Sequence, residues 1–254
     1  MKTFKFLCLA SLFIFGLSCS DDQENGTNEN QIPGNNLSLG QSAHDLLAND
    51  IFTQLEVEIV YAEGFAPQEN SLIQLKNFLE QRTFKTNITY IERQISSPSG
   101  APYSIEEIRA IEEQHRTSFN TENTISVFVF FANGDREGNQ ENQITLGTAY
   151  QNTSIVIFEK TIQDLTQNLG APSTSSVEVT TLTHEFGHLF GLVDVGSPMQ
   201  TNHEDQDSQA HCDIENCLMR AQAEFAGGVM GMLGNGIPDL GPECIADLQA
   251  NGGR

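Results

Sequence analysis

The segment TTLTHEFGHLFGLVD, residues 180–194, restricts the fold more than any other stretch of the chain. His184 and His188 stand four apart, Glu185 follows the first histidine, and Gly191 lies three beyond the second. On a helix, four residues bring the chain back to within about 40° of its starting direction, so both imidazoles share one face. Leu182, Phe186 and Leu189 fall on the opposite side, about 140–200° away. One side can pack under a sheet while the other offers two imidazoles to a cleft. Glu185, turned by about 100° from His184, can reach a water on a bound metal but is not placed as a ligand. Pro172 and Ser175, with Glu178 three residues on, mark the expected start of this helix.

These residue types suit one chemistry. Two neutral imidazoles and one further ligand hold Zn2+ and leave a position for water. The ion acidifies that water and polarises a carbonyl, and the neighbouring carboxylate accepts the proton. The expectation is a zinc-dependent endopeptidase acting on peptide or protein substrates, with Glu185 as general base and His184 and His188 as two metal ligands. Gly191 predicts a left-handed turn that sends the chain sharply back, bringing the third ligand from just downstream. A site continuing into another helix with a glutamate ligand would draw on Glu204, Glu215 or Glu224, none of which has a supporting pattern.

The chain opens with Lys2 and Lys5 and an apolar run from Phe6 to Leu17. That run is about half the ~20 residues a membrane-spanning helix needs and reads as a signal peptide over residues 1–18. Gly16-Leu17-Ser18-Cys19 is similar to a bacterial lipobox, which makes Cys19 the expected lipidation site and membrane anchor. Ser20-Asp21-Asp22 resembles the acidic export signal of surface lipoproteins in Bacteroidota. The expected location is the cell envelope, as an outer-membrane lipoprotein with surface exposure. Residues 19–40, rich in Asp, Asn, Gln, Glu and Gly, read as a flexible acidic tether. Removing the signal peptide leaves 10 basic against 34 acidic residues, a net −24. Such a surface repels nucleic acid and anionic lipid head groups, so nucleic acid is excluded as a partner. The protein is expected to be a monomer.

Residues 41–254 form the expected catalytic domain, with an N-terminal subdomain to Gly191 and a C-terminal subdomain over 192–254. LEVEIVY (55–61) alternates as a strand, a helix opens at Pro67 with Leu72, Leu75 and Leu79 on one stripe, and NITYIERQI (87–95) is a second strand. Ser104 and Glu107 predict a capping box for a helix carrying Ile105, Ile108 and Ile111. ISVFVFF (125–131) is apolar on both faces, as a central strand is. TLGTAY (145–150) and TSIVIFE (153–159) predict two short strands joined by a tight turn near Asn152. The fold class is α/β, an α+β arrangement with a mixed twisted sheet of about five strands. The edge strand near 145–150 would pair with an extended substrate.

HEFGHLFG resembles the metzincin signature, in which a third histidine, replaceable by aspartate, follows the glycine by three residues. HCDIENCLM (211–219) resembles the archaemetzincins, where the third histidine is followed directly by Cys, four residues, Cys, one residue and Met; His211, Cys212, Cys217 and Met219 match that spacing. As a whole the chain is similar to metalloprotease lipoproteins of Bacteroidota. The resemblance implies the zincin fold, peptide-bond hydrolysis, a glycine turn at Gly191 and a Met-turn at Met219 beneath the histidines. Ala221 stands where some metzincins carry a tyrosine. Two departures stand out. Nineteen residues, Leu192 to Ala210, separate Gly191 from His211. The archaemetzincin pattern also implies a second, structural zinc on four cysteines, but Gly241 occupies the third cysteine position in GPEC (241–244). Three thiolates make a poor closed site. The expectation is therefore that this zinc is absent and that a disulfide forms among Cys212, Cys217 and Cys244. The third catalytic ligand stays open at this point. His211 has the matching cysteine and methionine context, Asp194 has the simple spacing, and His203 sits in NHEDQD, which reads as a solvated acidic loop. The long loop itself is expected to fold over the cleft as a lid.

Overall fold

A computed structural model describes residues 34–140, 144–223 and 226–254. The signal peptide, Cys19 and most of the expected tether, like Glu224, lie outside the described residues. Five strands make one sheet in the order β2-β1-β3-β5-β4, with β1 Gln54–Ala62, β2 Asn87–Ile95, β3 Thr124–Phe131, β4 Gly147–Gln151 and β5 Ser154–Ile157. The first four in that order run parallel, and β4 lies antiparallel to β5 at one edge. This is the mixed five-stranded sheet expected from the sequence.

Alternation along the strands divides the core into two layers. Val57, Val127, Val129, Phe131, Ile155 and Ile157 point to one side. They meet α2 (Glu69–Arg82) and α5 (Thr174–Leu189) through Leu75, Leu79, Leu182 and Phe186. Val60, Phe128, Phe130, Val156 and Phe158 point to the other side and meet Ile108 of α3 (Ile105–His115). The expected Ser104–Glu107 capping box starts α3. Because β3 is covered on both faces, its run of apolar residues is unbroken.

Several elements differ from the sequence reading. The strand expected over 153–159 stops at Ile157, and Glu159 opens a short helix, α4 (Glu159–Thr166). Three further helices are α1 (Ala43–Leu47), α6 (Ala226–Met232) and α7 (Pro242–Ala250). The cap of α5 is Ser173, whose hydroxyl accepts the Ser176 N–H, and not Ser175. Glu178 is turned inward instead, accepting the Gln68 N–H at 2.9 Å. The last residues of the expected tether are held against the domain: Asn35 donates to Asn120 and the Ser126 carbonyl, and Asn152 accepts the Leu37 N–H.

Candidate active site

α5 is buried all round from Val177 to Leu189, beyond the one-sided burial its sequence suggests. Its polar residues tolerate this because Thr180, Thr181 and Thr183 return their hydroxyls to carbonyls one turn back, at Ser176, Val177 and Val179. Phe186 and Phe190 pack towards Phe78 of α2 on the core side. The segment 211–219 covers the opposite, histidine side.

The helix ends where Gly191 takes φ +72 and donates its N–H to the His188 carbonyl. A Cβ there would come 2.6 Å from the Ser197 nitrogen, so a side chain does not fit the turn. Val193 and Asp194 follow in the left-handed region, at φ 57 and 62. These two residues send Val193 into the core and Asp194 outward, where it is exposed. The simple spacing rule therefore does not bring Asp194 to the histidines.

His211 arrives there by the longer route. Ser197 N–H returns to the Gly191 carbonyl, and Gln200 N–H donates to Asp247 on α7. The chain then forms a narrow antiparallel turn: Asp205 N–H donates to the His211 carbonyl and Asp213 N–H to the His203 carbonyl. The loop expected as a lid is thus pinned to α7 through Asp247. The rings of His184, His188 and His211 lie 4.7–5.3 Å apart by centroids. Their ligand nitrogens all fall within 4.8 Å of one another.

Hydrogen bonds fix which nitrogens converge. His184 Nδ1–H donates to the Leu218 carbonyl at 2.8 Å, and His211 Nδ1–H donates to the Gln209 carbonyl at 3.0 Å. Each leaves Nε2 as the bare nitrogen. His184 Nε2 and His188 Nε2 face each other at 3.1 Å. Tetrahedral metal–nitrogen bonds of about 2.0–2.1 Å require a nitrogen–nitrogen edge of about 3.3–3.4 Å, so the residues fit a zinc ion. Burial, then the neighbouring His184 and His211, hold His188 well below the ordinary histidine range, which keeps its ring neutral.

Glu185 lies on the sheet side of this cluster. Its Oε2 accepts the Ala149 N–H from edge strand β4 at 2.7 Å. Gly147, on the same strand, makes room: a Cβ there would stand 3.0 Å from Oε1 of Glu185 and 2.6 Å from Thr181 Cγ2. Met219 lies beneath the helix against Gly187. Sequence reasoning missed Gly187, Gly147, Ala149 and Leu218. The two glycines carried a signal, since each interrupts a segment that otherwise favours a side chain. Ala149 and Leu218 act through backbone groups that any residue would supply.

Two expectations about the second cluster need correction. The expected disulfide is not formed: Cys212, Cys217 and Cys244 are all buried and free. The Cys217 and Cys244 sulfurs are 3.6 Å apart, far beyond a covalent bond. His203 is neither a solvated loop residue nor part of the three-histidine group. It is 1% exposed, with its ring nitrogens facing Cys212 Sγ at 3.3 Å and Asp247 Oδ2 at 2.8 Å. Acidic flanks suggested solvent, but the antiparallel turn carries the ring inward. Hydrogen bonds from Cys212 and Cys244 hold Cys217 low, while Cys212 is pushed up by its contact with Cys217, and Cys244 by its contacts with Cys212 and then Cys217.

No protein-family model and no curated protein matches the sequence. Among solved structures, the fold is similar to that of archaemetzincin from Methanopyrus kandleri, with a TM-score of 0.51 and 17% identity, over 78% of this chain and 96% of that one. Metalloproteinase-II from Bacteroides fragilis aligns with a TM-score of 0.44 and 13% identity over 80% of this chain. This chain spans 54% of that protein's length. The likeness to the archaemetzincin structure is one of fold.

Proposed function

We propose that the protein is a zinc-dependent endopeptidase, with His184, His188 and His211 holding the metal and Glu185 acting as general base. The observation that carries this reading is the convergence of three imidazoles within 4.8 Å, beside a carboxylate on the same helix. When bound, zinc acidifies a water molecule and polarises the scissile carbonyl. The Leu218 carbonyl holds His184 in the tautomer that presents Nε2. The Ala149 N–H fixes one oxygen of Glu185, which orients the carboxylate to take a proton. Edge strand β4 offers backbone groups to an extended peptide laid alongside it.

The test is zinc content together with cleavage of a peptide library. Glu185→Gln is expected to keep zinc and to lose turnover by at least ~100-fold. His188→Ala is expected to drop zinc by one ion per molecule. Near wild-type turnover in Glu185→Gln would remove the carboxylate from the mechanism.

The alternative is a non-catalytic binding lipoprotein that retains the fold. The burial of Glu185, 1% exposed, and of His188, 7% exposed, favours it. Its mark would be zinc binding in the wild type with no cleavage of any library peptide. Under either reading we propose anchoring at the cell envelope through lipid on Cys19, supported by the lipobox-like Gly16-Leu17-Ser18-Cys19. Among the described residues no helix is long and apolar enough to cross a membrane. Cys19→Ser should release the protein into the soluble fraction, and continued partition with membranes would reveal another anchor.

A further inference from the structure

A second set of donors is drawn together behind the catalytic cluster, and the hydrolytic mechanism does not use it. Ligand atoms of His203, Cys212 and Cys244 lie within 4.8 Å of one another. The Cys217 sulfur is 3.6 Å from that of Cys244. All four residues are at most 1% exposed. They come from three separate places: the inserted loop, the segment 212–217, and α7.

The orientation of His203 is decisive. Asp247 accepts from Nε2–H at 2.8 Å, with its other oxygen held by the Gln200 N–H. Nδ1 is therefore the bare nitrogen, and it faces the Cys212 sulfur at 3.3 Å. A carboxylate behind a ligating imidazole is the arrangement that fixes the ring and strengthens it as a donor. The sulfurs are oriented in the same way. Ile214 N–H donates to Cys212 Sγ at 3.4 Å, and Gly241 N–H donates to Cys217 Sγ at 3.2 Å. Gly241 thus contributes a backbone donor at the position where the four-cysteine pattern has a thiol.

We propose that His203, Cys212, Cys217 and Cys244 bind a second, structural zinc ion, with the histidine of the inserted loop as fourth ligand. Tetrahedral metal–sulfur bonds of about 2.3 Å set sulfur–sulfur edges near 3.8 Å and sulfur–nitrogen edges near 3.6 Å. Of the six edges, the Cys217–Cys244 separation of 3.6 Å and the His203–Cys212 separation of 3.3 Å are close to these values, while Cys217 falls outside the set whose ligand atoms all lie within 4.8 Å of one another. Three thiolates and an imidazole select zinc over hard cations. A disulfide between Cys217 and Cys244 would leave Cys212 and the bare Nδ1 buried without a use. The ion would also brace the catalytic cluster. Cys212 follows His211 directly, its N–H donates to the Met219 carbonyl, and Leu218 orients His184. The proposal does not depend on proteolysis, because it concerns metal content alone.

The experiment is elemental analysis with intact mass, on protein purified without reductant or chelator. Wild type is expected to carry two zinc ions, and His188→Ala and His203→Ala one each. His203→Cys should restore two. Should His203→Ala fail to fold, cobalt replaces it as the reporter: cobalt-loaded His188→Ala should keep the thiolate-to-cobalt absorption in the near ultraviolet. One zinc in wild type that disappears in His188→Ala would overturn the second site. So would a mass two hydrogen atoms lighter than the reduced chain, or a cobalt spectrum without the thiolate band.

Discussion

Met219 lies so close to Gly187 that a Cβ on the glycine would stand 2.2 Å from the methionine sulfur and 3.0 Å from its terminal methyl. A glycine in the middle of a helix costs about 1 kcal/mol relative to alanine, so its use here is explained by that contact. Gly187→Ala should therefore destabilise the fold, by about 1–3 kcal/mol of overpacking partly offset by the better helix former. Thermal melts check the sign. Combining it with Met219→Ala should recover part of the loss, because the methionine is what the new methyl strikes.

Gly147 makes room for Glu185, the proposed general base. Gly147→Ala would press on Thr181 and on the carboxylate of Glu185. Bound zinc should be unchanged while turnover falls by about tenfold or more, as expected when a catalytic group is displaced by an ångström or less. Steady-state kinetics beside elemental analysis would separate the two effects. Equal loss of zinc and turnover would mean that the glycine serves the metal site and not the base.

The third ligand is open to direct comparison. Of the three candidates downstream of Gly191, Asp194, His203 and His211, it is His211 whose ligand nitrogen lies beside those of His184 and His188. His211→Ala should weaken zinc binding by orders of magnitude. Asp194→Ala should leave it within about twofold, the ordinary result for an exposed residue away from the site. Competition with a chromogenic chelator reads both.

A pH dependence follows from the base of the active helix. Burial, and then the charge of Glu178, push the Glu159 carboxyl up to about 10. Between the usual glutamate range and about 10, the folded protein keeps a proton that the unfolded chain has released. Stability contributed by this pair is complete at acidic pH, declines as pH rises through that window, and levels off above it. Glu159→Gln supplies a donor that does not titrate. It should flatten the decline and stabilise the protein at about pH 8 by roughly 1–3 kcal/mol, within the ordinary range of single substitutions. Denaturant melts across pH measure it. An unchanged slope would place the titrating group elsewhere.

The strands were legible because burial on one or both faces leaves a period-two or continuous apolar record, as in Leu55–Tyr61 and Ile125–Phe131. The site helix was legible because its histidines need helical spacing. Its cap was misread within the run Ser173–Ser176, where every residue is a plausible cap and only the tertiary position chooses. α4 left little trace: it is one short helix beginning at a buried glutamate directly after a strand. α7 had a proline at its start, but Gly241-Pro242 was read as part of a cysteine pattern. α6, AGGVMGM, has the composition of a poor helix former and is helical through its packing. His203 was hidden for a different reason. Its partners, Cys212 and Asp247, are 9 and 44 residues away, and nothing local to NHEDQD reveals them.

The narrow turn that returns His211 has a consequence for how this chain can change. The backbone is clamped at Asp205–His211 and His203–Asp213, so the span between the clamps forms a small closed ring of its own. Residues at its tip, Gln206, Asp207 and Gln209, are exposed. Lengthening such a ring costs only about 0.6 kcal/mol per doubling, and none of that strain needs to reach the histidines. The tip is thus a natural acceptor for foreign peptide, such as an epitope or a fluorophore tag, and a stretch where related chains can differ in length while keeping both donor clusters intact.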